Sequence, residues 1–176
     1  MEMTPALRAT RFSQLKPGEL FIFPHDSSSV VALAAADPSR DGDLCAIPLG
    51  PALPPELIAR IANLAGHTGV VSYGPEFVVQ LPSRPDGWPV QVPPPDKACF
   101  VLSEQGLYLR ANFYPEPPGF QACFVDMKDG KILTSSEMIR PEFLTPRNIC
   151  GFAAEWALLT REAEARVILS CPAQRA

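Results

Sequence analysis

The stretch LYLRANFY carries more chemistry than any other single element of the chain. In an extended strand, successive side chains point to opposite faces. Tyr108, Arg110, Asn112 and Tyr114 therefore share one face, and Leu107, Leu109, Ala111 and Phe113 share the other. The second set is apolar and belongs in a core. The first sets a guanidinium between two phenol rings with an amide beside it. A guanidinium fork matches a carboxylate or phosphate, and the rings can stack on a planar group. These four residues are the candidate site, and the ligand they suit is small and anionic or planar. The same alternation also fits the solvent face of an antiparallel strand, where Tyr and Arg cover sheet surface.

Other chemical patterns stop short. Ser72 lies in VVSYG, but a nucleophile elbow needs glycine where Val70 stands. His67 reads as the exit of a helix. Asp126 and Glu137 have the first-to-twelfth spacing of a calcium loop. Lys128 occupies a required oxygen-ligand position and the glycine falls one place early, which excludes calcium. His25-Asp26 closes a strand, and HDSSS is the composition of a polar turn. Phosphate-binding glycine loops are absent. The cysteines (Cys45, Cys99, Cys123, Cys150 and Cys171) form no C-x-x-C, and only His25 and His67 could add imidazoles, so neither a metal nor a cofactor is implied. Cys45, Cys99 and Cys123 sit in apolar runs as small hydrophobes. All five thiols are expected to be free. Two function classes follow. One is a binding or interaction module without catalysis. The other is a hydrolase-like enzyme with catalytic groups on distant loops, Cys123 or His25 among them. The lack of any local catalytic motif favours the first.

Composition narrows the partners. The formal net charge of −4 provides no basic field for a polyanion, so nucleic acid and anionic membrane are excluded as expectations. The N-terminus lacks the apolar core of a secretory signal, and the longest aliphatic run, VVALAAA, is too short to span a bilayer. A cytoplasmic location is expected. The remaining partners are a small molecule, another protein, or further copies of the chain joined through strand edges.

The elements that must position these residues are mainly strands. Twenty-one prolines among 176 residues restrict long helices and favour brief strands and turns. Lys16-Pro17-Gly18 suits a type II turn ahead of a strand at 19–23. Further strands are read at 30–36, 43–48, 69–73, 76–81, 97–103, 107–114 and 120–126. Asp129-Gly130 signals a two-residue hairpin before Ile132-Leu133. Two helices are expected. Residues 54–66 carry Leu57, Ile61 and Leu64 on one stripe, and Gly66 suits the cap. Residues 146–163 follow a Thr145-Pro146 start and place Ile149, Phe152, Trp156 and Leu159 on one face. Residues 167–169 fit either helix or strand.

The second half echoes the first. At a gapless separation of 77, Phe23 meets Phe100, Ala34 meets Ala111, Pro38 meets Pro115 and Gly42 meets Gly119. Strand, turn, strand, loop and strand recur in the same order. Two related β-meanders, each needing the other's apolar face, would form one core. The expected organisation is a meander with a helix at 12–81, a proline-rich connector at 82–96, and a second meander with a helix at 97–176. The fold class is mainly β, α+β in detail. The opening phrase F-x-x-L-K-P-G-x-L-F-x-F, Phe12 to Phe23, resembles the start of small uncharacterised bacterial proteins that begin F-x-x-L-K-x-G-D-x-F. Those look like compact SH3-like barrels, so the resemblance implies duplicated barrels here and carries no activity with it. Glu19 replaces the Asp of that pattern.

Overall fold

Proline and glycine set the strand boundaries. A computed structural model describes residues 7–37, 43–50, 59–80, 99–102, 105–113, 121–134, 148–151, 156–160 and 167–171. The first half contains β1 (Arg8–Arg11), a 3-10 turn (Phe12–Gln14), β2 (Leu20–His25), β3 (Ser28–Ala36), β4 (Leu44–Pro48), β5 (Gly69–Gly74) and β6 (Phe77–Gln80). The second contains β7 (Cys99–Leu102), β8 (Leu107–Phe113), β9 (Gln121–Asp126), β10 (Ile132–Thr134), β11 (Asn148–Gly151), β12 (Trp156–Thr160) and β13 (Val167–Cys171). They pair antiparallel in three sheets, ordered β1-β5-β2-β3-β4, β10-β9-β8-β7-β11 and β13-β12-β6. Among the described residues there is no α-helix and no sheet closes on itself, so closed barrels are not found.

Two turns form as their residues dictate. Glu19 N donates to Lys16 O at 3.1 Å, and Gly18 sits at φ +88°, the position that favours glycine in a type II turn. His25 pairs with Ser28, so Asp26-Ser27 makes a two-residue hairpin with Asp26 at φ +51°.

The main core lies between the two five-stranded sheets. Leu20, Leu33, Ala35, Cys45 and Ile47 from the first meet Phe100, Leu109, Ala111, Cys123, Val125 and Ile132 from the second. Each fully buried Leu or Phe there contributes about 1.5–3 kcal/mol. The first sheet is also covered on its outer face. Phe21, Phe23, Val30, Ala32, Ala34 and Ala46 pack against Phe12 and Leu15. A strand buried on both sides reads as an unbroken apolar run, which explains VVALAAA.

The helix expected at 54–66 is not formed over its described part. Ala59 adopts φ +54°, and Ala62 exchanges backbone hydrogen bonds of 2.8 Å with Ala46 in both directions. The segment thereby covers the β4 edge. Ile61 packs on the main core and Leu64 on the outer cluster of the first sheet, so a spacing that imitates one helical stripe serves two cores. Over the described part of the helix expected at 146–163, strands stand in its place. Ile149 belongs to β11 and Leu159 to β12, in different sheets, where ladder pairing with β7 and β6 takes over from helical periodicity. Trp156 opens β12 opposite Cys171, and residues 167–169 are part of a strand. Phe152 and the 82–96 connector lie outside the described residues. The Asp129-Gly130 hairpin exists with a longer loop, residues 127–130, closed by Asp126 N to Lys131 O at 2.9 Å.

The two halves share one ladder plan. β5-β2-β3-β4 in the first sheet corresponds in order to β11-β7-β8-β9 in the second. Leu20 pairs with Leu33 as Phe100 pairs with Leu109, and Ala35 pairs with Cys45 as Ala111 pairs with Cys123. All eight residues face the shared core. A gapless 77-residue match would instead set Leu33 against Arg110 and put inner residues on an outer face. A one-residue slip in a strand reverses every side chain, so no constant offset fits: Phe100 lies 80 residues after Leu20, Leu109 lies 76 after Leu33 and Cys123 lies 78 after Cys45.

The halves also latch by backbone. Ala34 N donates to Glu19 O at 2.9 Å, and two residues on Ala36 N donates to Gly130 O at 3.1 Å. The β9–β10 loop thus continues the β3 edge where β2 ends. A Cβ on Gly130 would lie 2.6 Å from Ala34 O and closer still to Gly18 N, and Gly130 has φ +67°.

Candidate functional site

β8 runs between β7 and β9, and this central position decides the surroundings of Tyr108 and Arg110. Tyr108 stands opposite Val101 on β7 and Asp126 on β9, while Arg110 stands opposite Cys99 and Phe124. Leu109 and Ala111 enter the main core, with Leu107 packed at its border. Tyr108 and Arg110, on the other face, are 4% and 7% exposed. These two therefore do not lie on a solvent face. Val101, Tyr108, Phe124 and Leu133 form an apolar cluster there. The side chain of Asn112 and the whole of Tyr114 fall outside what the structure describes.

Removing an arginine from water costs several kcal/mol unless neighbours compensate. Arg110 and Tyr108 both have polar, charged or ring contacts. Burial, then the charges of Asp126 and Asp129, raise the pKa of the Tyr108 phenol, which keeps it a neutral donor at ordinary pH. Asp126 accepts a hydrogen bond from Lys128 N at 2.8 Å. A guanidinium and a neutral phenol can offer donors to an anion. Neither is a nucleophile under these conditions.

Ser72 has a different role from the one its motif suggests. Its hydroxyl donates to Glu19 Oε2 at 2.8 Å and accepts from Gly74 N at 3.0 Å. Arg8, largely exposed, reaches the same carboxylate oxygen at 3.4 Å. Ser72 and Glu19 are 2% and 6% exposed, and the group ties β1, β2 and β5 together where the β2–β5 register shifts. Sequence reasoning noted Glu19 only as the replacement for an Asp in the opening pattern and gave it no structural role. The signal for it is the acidic position that follows the Lys-Pro-Gly turn. Phe124 and Asp126 were likewise missed as neighbours of Arg110 and Tyr108, because cross-strand register is not visible in one strand.

Among the described side chains, the thiols and imidazoles do not assemble a catalytic set. Cys45 and Cys123 are buried and free. Burial pushes both up to about 12, with Asp37 and the neighbouring Cys123 adding to the effect on Cys45. They stay protonated at neutral pH, and the thiolate is the nucleophilic form. Of the other three cysteines only the backbone is described. His25 sits on the exposed hairpin with Nε2 3.9 Å from Asp26 Oδ2. Among the described residues no three His, Cys, Asp or Glu side chains gather to hold a metal ion, and no helix is long and apolar enough to cross a membrane.

The chain matches no protein-family model and no curated protein, and no solved structure resembles it.

Proposed function

We propose that the chain is an internally duplicated binding module that takes a small carboxylate- or phosphate-bearing ligand through Arg110 and Tyr108. One observation carries the reading. The two halves build the same ladder, so their outer faces can be compared position by position. Tyr108 corresponds to Ala32 and Arg110 to Ala34, while Phe124 corresponds to Ala46. At those three positions the first half has alanine packed among apolar side chains, and the polar pair its outer face buries, Glu19 and Ser72, lies elsewhere, just before β2 and on β5. The architecture does not require a buried cation and a phenol in the second. A charge kept in a costly position that the fold can do without is a functional candidate. Asn112 and Tyr114 belong to the proposed set on the alternation of the sequence alone.

Native mass spectrometry of the purified full-length protein, followed by calorimetric titration with inorganic phosphate, succinate and benzoate, tests the reading. A retained or titratable anion is expected in the wild type and should be lost in Arg110→Met. If binding persists in that variant, or if no anion binds the wild type, the assignment falls.

A further inference from the structure

Cys45 and Cys123 hold the same place in the two halves. Cys45 stands opposite Ala35 in its ladder and Cys123 opposite Ala111, and all four side chains enter the shared core. One cysteine comes from β4 of the first sheet and the other from β9 of the second. Counterparts in a duplicated sandwich meet only beside the axis that relates the halves. These two are neighbours there. They lie in one buried cluster, and the charge of a Cys123 thiolate reaches Cys45.

Small side chains frame the pair. Ala35 and Ala111 end at Cβ, which lets the facing sheets approach more closely than the usual spacing of about 10 Å. A disulfide joins Cα atoms roughly 4.4–6.8 Å apart, and immunoglobulin sandwiches bridge facing sheets with one. Both thiols are free. The Cys45 thiol makes a weak hydrogen bond of 3.5 Å to Ala35 O, which a new bond to sulfur would replace at little cost. Alanine or valine would fill these core positions equally well. Two thiols at counterpart positions add the ability to join.

We propose that Cys45 and Cys123 are a latent disulfide between the two sheets, closed by a small disulfide oxidant such as oxidised glutathione and locking the halves together. One protein thiolate attacks the S–S bond of the oxidant, forming a mixed disulfide and releasing one small thiolate. The second protein thiolate attacks the protein sulfur of that mixed disulfide and releases the other. The two released thiolates take up the two protons lost from the protein. Two protein S–H bonds thus give one S–S bond, and the oxidant gains the two electrons. Burial keeps both thiols protonated and out of reach in the closed core. Closure therefore happens as the chain folds or as the core opens, which makes the pair a slow lock and not a fast sensor. The bridge would close a loop of 78 residues, from Cys45 to Cys123, and so long a loop restrains the unfolded chain strongly. This inference is independent of the anion site, since Tyr108 and Arg110 lie on the face of β8 opposite Ala111.

The test is to refold the full chain from urea in a glutathione redox buffer, block the remaining thiols with N-ethylmaleimide and digest with trypsin. Refolding gives the oxidant access that the closed core denies. Cleavage after lysine and arginine leaves the five cysteines in five separate peptides, so every pairing is distinguishable by mass. The expected product joins peptide 41–60 to peptide 111–128. The oxidised chain should unfold at a urea concentration about 1 M higher than the reduced chain. Dithiothreitol should abolish that difference, and so should Cys45→Ala or Cys123→Ala. A refolded chain with both thiols alkylated would overturn the proposal. So would a bridge formed by other cysteines in its place. A Cys45–Cys123 bridge that lowers the urea midpoint would overturn it as well, because the folded sheets would then hold the two sulfurs apart.

Discussion

Replacing Ser72 by alanine removes two hydrogen bonds and strands a buried carboxylate. The Glu19 oxygen loses its close donor and keeps the longer contact to an exposed arginine. Urea unfolding should show a loss of about 1–3 kcal/mol, the cost of leaving a buried polar group unsatisfied. Arg8→Ala should cost about 0.2–1 kcal/mol, since its side chain is 58% exposed and solvent weakens the pair. If the two variants lose equally, the hydroxyl does not hold the cluster. The buried thiols add a pH dependence of known sign. Cys45 and Cys123 ionise at about 12 in the folded chain against 9.0 in the reference state. The unfolded chain therefore releases those protons first as pH rises. Their contribution is fully present below pH 9 and is lost between 9 and about 12. Each thiol should remove roughly 1.4 kcal/mol of stability for each pH unit above 9 in that window. A Cys45→Ala/Cys123→Ala double variant should flatten the alkaline limb of the stability profile; an unchanged limb would assign it to other groups.

At the scale of elements, the strand centres were legible because proline, glycine and alternation mark them. Lys16-Pro17-Gly18 and the Asp26 turn formed where turn chemistry placed them, and β8 followed its alternation on the inner face. The misread elements share a cause. Ile61 with Leu64, and Ile149 with Leu159, have helical spacings, but the first pair divides between two apolar clusters and the second between strands of two different sheets, and sequence separation alone does not reveal either division. The candidate site was legible as a set of side-chain types and illegible as an environment. Burial of Tyr108 and Arg110 depends on neighbours that only the assembled sheet supplies. Arg110→Met offers a measurement at this scale. Arg110 has partners in the folded chain, so replacing it by an apolar side chain of similar length should cost about 1–3 kcal/mol, the penalty of leaving a buried polar group unsatisfied. A loss of about 3–5 kcal/mol would instead mark Arg110 as one partner of a buried pair required by the fold.

The whole molecule should unfold as one unit. Leu20, Leu33 and Ile47 have no core without Phe100, Leu109 and Val125, so tryptophan fluorescence and far-UV dichroism should give coincident single transitions in urea. Separate transitions would show that each half holds a core of its own. Gly130→Ala probes the latch between them. Its Cβ would press on backbone atoms of Gly18 and Ala34, whereas at Gly74, also with positive φ, the same atom meets nothing within 4 Å. Gly74→Ala should cost about 1–2 kcal/mol from the dihedral alone, and Gly130→Ala clearly more in the same thermal or urea measurement.

The hydrogen bond from Ala36 to Gly130 has a consequence for synthesis. The acceptor is encoded roughly ninety codons after the donor, which at about 5–20 residues per second is a wait of about 5–20 s on the ribosome. Throughout that interval the nascent first half carries an unfinished strand edge and an uncovered apolar sheet. Such a chain is a natural client for a holding chaperone. Translation stalled in the proline-dense stretch after residue 81 would prolong its exposure at the most vulnerable moment.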